Sequence, residues 1–200
     1  MLAFISAAFF LIVTPGPGVM SVAGVGSAFG RQAGLRYLWG LFLGNSIVIL
    51  AVVTGLAGLI LAEPRILFVL FAASTAYLVY LALKIAFAGS RVGFVQAAVA
   101  PGFWNGVTLQ FINPKAYAVN TYFFTAFPLA SLGFGAETAA KWIAINAVWI
   151  PIHVFWLWLG IKLNELNLSK ERQRMLNIAM SVSMLIAVGL AVTHTLGEPL

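Results

Sequence analysis

The sequence predicts an all-α membrane protein: six transmembrane helices arranged as two inverted three-helix repeats, with the first helix of each repeat broken. Three observations carry this. The chain is 62% hydrophobic and only 8% charged over 200 residues, with a mean hydropathy of +1.01, whereas soluble domains are about 25% charged. Its charges fall singly between long apolar runs, so they punctuate spans instead of covering a soluble surface. Two of those runs are interrupted by proline, at Pro15-Gly16-Pro17-Gly18 and at Asn113-Pro114-Lys115.

Span one covers about Leu2 to Phe29, and no charge occurs before Arg31. At about 1.5 Å per residue a continuous helix of that length outruns a hydrocarbon core of about 30 Å. Two prolines and two glycines in succession break it. Arg31 to Arg36 reads as a short basic loop, and span two as about Tyr37 to Leu61, ended by Glu63-Pro64-Arg65. Span three covers about Ile66 to Ala88, with Lys84 near its end, and Gly89 to Gly102 forms the next loop. Span four, about Phe103 to Phe127, carries the second break; Pro128 to Glu137 is a loop of small residues. Span five covers about Thr138 to Ile161, Lys162 to Arg174 is the most charged segment, and span six covers about Met175 to Leu196.

The loops after spans one, three and five hold Arg31, Arg36, Lys84, Arg91, Lys162, Lys170, Arg172 and Arg174; the opposite side holds Arg65 and Lys141. The positive-inside rule places the richer side in the cytoplasm and both termini outward. The start, Met1-Leu2-Ala3-Phe4-Ile5, has no positive n-region, so no cleaved signal peptide is expected. We read a single transmembrane domain, residues 1–200, with repeat one at about 1–90 and repeat two at about 103–200. Three spans per half force the halves into opposite orientations, and paired interrupted segments in corresponding positions point to a midplane solute site between inverted repeats. The halves share no residue-level identity, so the repeat rests on topology and the two breaks.

Broken backbone at membrane depth is tolerated only against protein or a wet cavity. Pro15 and Pro17 withhold donors from the carbonyls of Leu11 and Val13, and Pro17 is suited to open a new helix. The gap sets a negative helix end beside a positive one, which suits a small dipolar solute such as a zwitterionic amino acid. A simple kink is the plainer reading, but it needs fewer breaker residues. Pro114 frees the carbonyl of Gln110. Lys115 sits at a depth where a lysine costs about 2.5–3.5 kcal/mol, so it is expected to face a cavity and pair with a substrate carboxylate or with freed carbonyls. If span four ended there, Lys115 would snorkel instead. Asn45 and Gln110 are the further cavity candidates, while Asn105, Asn120 and Asn146 read as interhelical hydrogen bonds. The expected substrate site is therefore Pro15, Gly16, Pro17, Gly18, Asn45, Gln110, Asn113, Pro114 and Lys115. His153, within span five, is either a proton-coupling group or a structural hydrogen bond.

Gly26-Gly30-Gly34 and Gly40-Gly44 have the spacing that lets membrane helices approach closely. No Lys-Ser/Thr follows, so they are not a phosphate loop. Tyr77 and Tyr80 read as packing residues. With no cysteine and no aspartate, and with two distant histidines, no nucleophile, base or metal-ligand cluster for an intramembrane enzyme is visible. No cofactor is expected. The net charge of +6 reflects topology, not nucleic-acid binding. A passive small-solute channel and a non-transporting membrane scaffold are the competing readings; a scaffold needs neither the lysine nor the broken backbone.

Thr14-Pro15-Gly16-Pro17-Gly18, followed by Gly30, Gly34, Gly40 and Gly44, resembles the first signature of the LysE/RhtB superfamily of amino-acid exporters. Ala76-Tyr77-Leu78-Val79-Tyr80-Leu81 resembles its third-span pattern, and Phe103 and Gly106 with Asn113-Pro114-Lys115-Ala116 its fourth-span signature. The resemblance implies a small bacterial inner-membrane exporter of amino acids or related metabolites, energised by protons and possessing a tendency to dimerise. The acidic residues Glu63, Glu137, Glu165, Glu171 and Glu198 all fall in predicted loops or at the terminus. That absence of a carboxylate within a span favours neutral over basic substrates.

Overall fold

Proline and glycine decide where the helices of this chain start and turn. The structure, a computed structural model, describes residues 2–14, 16–87, 99–129 and 132–166, and positions 169, 171, 172, 174, 175, 177–179, 182 and 186. Its regular elements are all helices: α1 (Leu2–Val13), α2 (Pro17–Val53), α3 (Leu56–Ala62), α4 (Pro64–Ala86), α5 (Phe103–Ile112), α6 (Pro114–Ala126) and α7 (Phe134–Glu165). Pro17, Pro64 and Pro114 each open one, at α2, α4 and α6, where the missing N–H is not needed. Span six of the sequence reading lies largely outside the described residues.

Two expected boundaries change. Arg31 to Arg36 is not a loop. Within α2, Gly30 has φ 76° and ψ −170°, a region open essentially to glycine alone. A Cβ added to Gly34 would lie 3.5 Å from the Cα of Gly26, though eight residues of straight helix would separate them by about 12 Å. The chain therefore doubles back at Gly30 into limbs 17–29 and 31–53. Arg31 and Arg36 are exposed on the opening turns of the second limb. Gly30, expected to pack, makes the turn that lets Gly26 and Gly34 pack. Span two is also shorter than expected: α2 ends at Val53, and Gly55, at φ 80°, starts the separate α3.

Among the described residues, three apolar helices are long enough to cross a membrane: Pro17–Val53, Pro64–Ala86 and Phe134–Leu163. Because the first reverses at Gly30, its crossing length is the second limb, about 35 Å. The limbs of α2 form the centre and are met by main-chain atoms. A Cβ on Gly40 would collide with the carbonyl of Phe103, and one on Gly106 with the carbonyl of Tyr37 and the amide of Leu41. A Cβ on Gly160 would collide with the carbonyl of Ala23. These contacts lock α5 to the 31–53 limb and α7 to the 17–29 limb. Around them packs a core that includes Val22, Val25, Tyr37, Leu41, Leu109 and Leu157.

A second core unites Phe4 and Ala8 of α1, Ile49 of α2, Phe123 of α6 and Ile145 of α7. Here side chains make the seal: Phe4 lies 5.6 Å from Phe123 and 5.5 Å from Phe127, centroid to centroid. Lys141, counted in the sequence with the side opposite the basic-rich loops, is buried beside this seal, at 1% exposure. Its Nζ reaches Glu137 Oε1 at 2.7 Å and the Phe124 carbonyl at 3.0 Å, because an ammonium taken out of water needs partners.

Candidate functional site

The two helix breaks open on one cavity of about 60 Å³, room for a few water molecules. At the first break α1 stops at Val13 and α2 begins at Pro17, with Gly16 extended between them (φ −162°, ψ −179°). Both glycines there leave room for side chains from elsewhere. A Cβ on Gly16 would sit 3.0 Å from Lys115 Nζ, and one on Gly18 would sit 3.1 Å from His153 Nε2. Lys115 and His153 thus converge on the first break from α6 and α7.

Lys115 Nζ donates to the Thr14 carbonyl at 3.1 Å. A hydrogen bond to a charged group returns about 1.5–3 kcal/mol, close to the roughly 2.5–3.5 kcal/mol that a lysine costs at depth. His153 stacks on Trp149, centroids 3.5 Å apart and planes 15° apart. Its Nδ1 lies 2.9 Å from the Trp149 carbonyl. A carbonyl only accepts, so Nδ1 carries the hydrogen; in the neutral ring Nε2 is then a bare acceptor beside Gly18.

At the second break α5 stops at Ile112 and Asn113 caps α6, its Oδ1 accepting from Lys115 N at 3.1 Å. That fixes the far side of its amide as nitrogen, which donates to Gln110 Oε1 at 3.0 Å. Gln110 Nε2 then faces Asn45 Oδ1 at 3.5 Å. From the other direction, Asn120 Nδ2 is identified by its 2.8 Å bond to the Ala116 carbonyl and also donates to Asn45 Oδ1 at 3.0 Å. The four amides are oriented from both ends by backbone groups. Asn45 Nδ2 is what the arrangement leaves over: it is buried and has no partner, on a residue that lines the cavity.

Residues 9–195 match the family described as LysE type translocator. The chain belongs to that family. It is a multi-pass membrane protein of a bacterial exporter family, a transporter and not an enzyme. It is similar to a leucine efflux protein of Klebsiella pneumoniae, with 26% identity over 95% of this chain and 92% of the relative. It is also similar to a cysteine/O-acetylserine efflux protein of Escherichia coli K12, with 28% identity over 85% of this chain and 86% of the relative. No solved structure matches.

In this translocator Gly16, Pro17, Gly18, Asn45, Gln110, Asn113, Lys115 and His153 line one cavity. Pro114 sets the start of α6 beside them. Pro15 lies outside the described residues. The carbonyl of Gln110, expected to be freed by Pro114, is taken at 3.2 Å by the amide of Asn113. Asn105 caps the amide of Gly102, and Asn146 bonds within its own helix to Trp142. Tyr77 packs as expected, its hydroxyl donating to the Asn105 carbonyl at 2.9 Å.

Sequence reasoning missed Asn120 and Trp149 as cavity residues. Both carry a spacing signal. Asn120 follows Asn113 by seven residues and Trp149 precedes His153 by four, intervals that return to one helix face.

Proposed function

We propose that this translocator exports small neutral amino acids or related metabolites across the bacterial inner membrane, driven by the proton motive force. One observation carries the reading. Lys115 and the unpartnered Asn45 Nδ2 supply donors, and His153 Nε2 an acceptor, to a cavity whose described lining contains no carboxylate. A substrate carboxylate pairs with Lys115 and Asn45. Its ammonium faces His153 Nε2 and the carbonyl end of α1, where the helix dipole is negative. Its side chain meets Val119, Phe123 and Ile145. A basic substrate would bring a second cation that nothing in the described lining neutralises. The efflux of leucine and of cysteine/O-acetylserine named for the relatives supports the same class.

The same reading includes the six-helix inverted-repeat arrangement, both termini outside, dimerisation, and His153 as the proton-coupling group. Inverted membrane vesicles offered a panel of labelled amino acids test it. Proton-gradient-dependent accumulation is expected and should fall with Lys115→Ala and with Pro17→Ala. Wild-type rates in both variants would sink the site assignment, and gradient-independent downhill flux would favour a channel.

A further inference from the structure

Lys115 is the one described side chain that bridges the two helix breaks. It stands at the start of α6, and its ammonium holds the Thr14 carbonyl at the end of α1. α1 and α6 are also the two half-helices whose seal is made by side chains: Phe4 against Phe123 and Phe127, with Ala8 and Ile145 behind. On the far side of both breaks the continuing segments, the 17–29 limb and α5, are fixed by glycine contacts to main-chain atoms of their neighbours. Packing of that kind leaves no side chain to rotate away. The end free to part is therefore the one formed by α1 and α6, and among the described residues the hydrogen bond that ties it is that of the Lys115 ammonium to the Thr14 carbonyl.

We propose that Lys115 is a substrate-released latch: a carboxylate entering the cavity takes its ammonium from the Thr14 carbonyl, and α1 then separates from α6 to open the aromatic plug. The inference rests on the proposed amino-acid function and assigns the step in which the solute acts on the protein. An ammonium prefers a carboxylate to a neutral carbonyl, since both partners are then charged. The exchange gives the solute the differential interaction that any ligand-driven transition requires. It also sets specificity. An amine of the same shape without the carboxylate leaves the latch closed.

The absence of cysteine from the chain permits a direct test. Ala8 is fully buried in the plug, so Ala8→Cys places a lone thiol where a maleimide reaches only an opened molecule. Purified Ala8→Cys protein in nanodiscs should react slowly alone. L-leucine or L-alanine should speed the reaction by roughly ten- to a hundredfold, the range expected for loss of a charged hydrogen bond; 3-methylbutylamine, which is leucine without its carboxylate, should not. Adding Lys115→Met should give the fast rate with no solute, and Lys115→Arg should restore protection. Protection in the Lys115→Met protein equal to the parent overturns the latch, and so does equal acceleration by the amine. If Lys115→Met does not fold, the comparison of amino acid with amine decides. Fast reaction in Lys115→Met, combined with no acceleration of the Ala8→Cys parent by any amino acid, keeps the tie between α1 and α6 but removes the carboxylate as its key, and with it the amino-acid reading of the cavity.

Discussion

Asn120 Nδ2 holds Asn45 Oδ1 at 3.0 Å while gripping the Ala116 carbonyl of its own helix at 2.8 Å. The second bond fixes which end of Asn120 is nitrogen, and the first then fixes which way Asn45 faces. A residue with no assigned contact to solute thereby aims the donor proposed to meet it.

Replacing Asn120 with Ala should free the Asn45 amide to rotate. The expected outcome is a roughly tenfold rise in the apparent KM for export, matching the loss of about 1–1.5 kcal/mol from one hydrogen bond, with a smaller change in maximal rate. Initial-rate measurements over a substrate series check it. An unchanged KM would mean that Asn45 is oriented without Asn120.

The helix contacts make a stability prediction of opposite sign at two glycines. A Cβ at Gly106 collides with the Tyr37 carbonyl and the Leu41 amide, whereas one at Gly135 in α7 meets nothing within 4 Å. Gly106→Ala should destabilise the protein by about 1–3 kcal/mol, as overpacking does. Gly135→Ala should be neutral or stabilising by up to about 1 kcal/mol. Thermal unfolding in detergent distinguishes them, and equal midpoints would refute the close approach of α2 and α5.

Glu137→Gln leaves the buried ammonium of Lys141 with a carbonyl and no anion. A buried charge that has lost its partner is worse than no charge at all. The single variant should therefore unfold at a lower temperature than the double variant Glu137→Gln with Lys141→Met. The reverse order would mean that Lys141 is hydrated.

His153 gives a kinetic prediction. If its Nε2 receives the coupled proton, His153→Gln retains a polar group but cannot titrate in the ordinary range. Proton-driven accumulation in proteoliposomes should collapse, while exchange of labelled for unlabelled solute, which moves no net proton, persists. Loss of both in equal measure would assign His153 to structure alone.

The breaks and much of the cavity were legible in the sequence because proline acts locally. Its missing donor and fixed φ dictate a helix start wherever it stands, so Pro17 and Pro114 announced α2 and α6 without tertiary context. Lys115 was legible for a related reason: a cation at depth must go somewhere polar. The reversal after span one was legible from Arg31 and Arg36, but its form was not: glycine permits a positive φ without requiring it, and only the meeting of Gly26 with Gly34 shows that Gly30 makes the turn in place of a basic loop. The burial of Lys141 was not legible, because it depends on the carbonyl of Phe124, 17 residues earlier in the chain. Asn120 and Asn146 look alike in sequence. Each donates to a carbonyl one turn back in its own helix, Asn120 in α6 and Asn146 in α7, but Asn120 also reaches Asn45.

The division between main-chain and side-chain contacts has an evolutionary consequence. Where Gly40, Gly106 and Gly160 meet neighbouring backbones, the spacing of the scaffold does not depend on what surrounds it. The residues that shape the apolar wall of the cavity, Leu11, Val119, Phe123 and Ile145, belong to other stretches of the chain. Their volume can drift without disturbing the frame. A single architecture can in this way be re-tailored for solutes of different bulk by a handful of substitutions, while the glycines stay put.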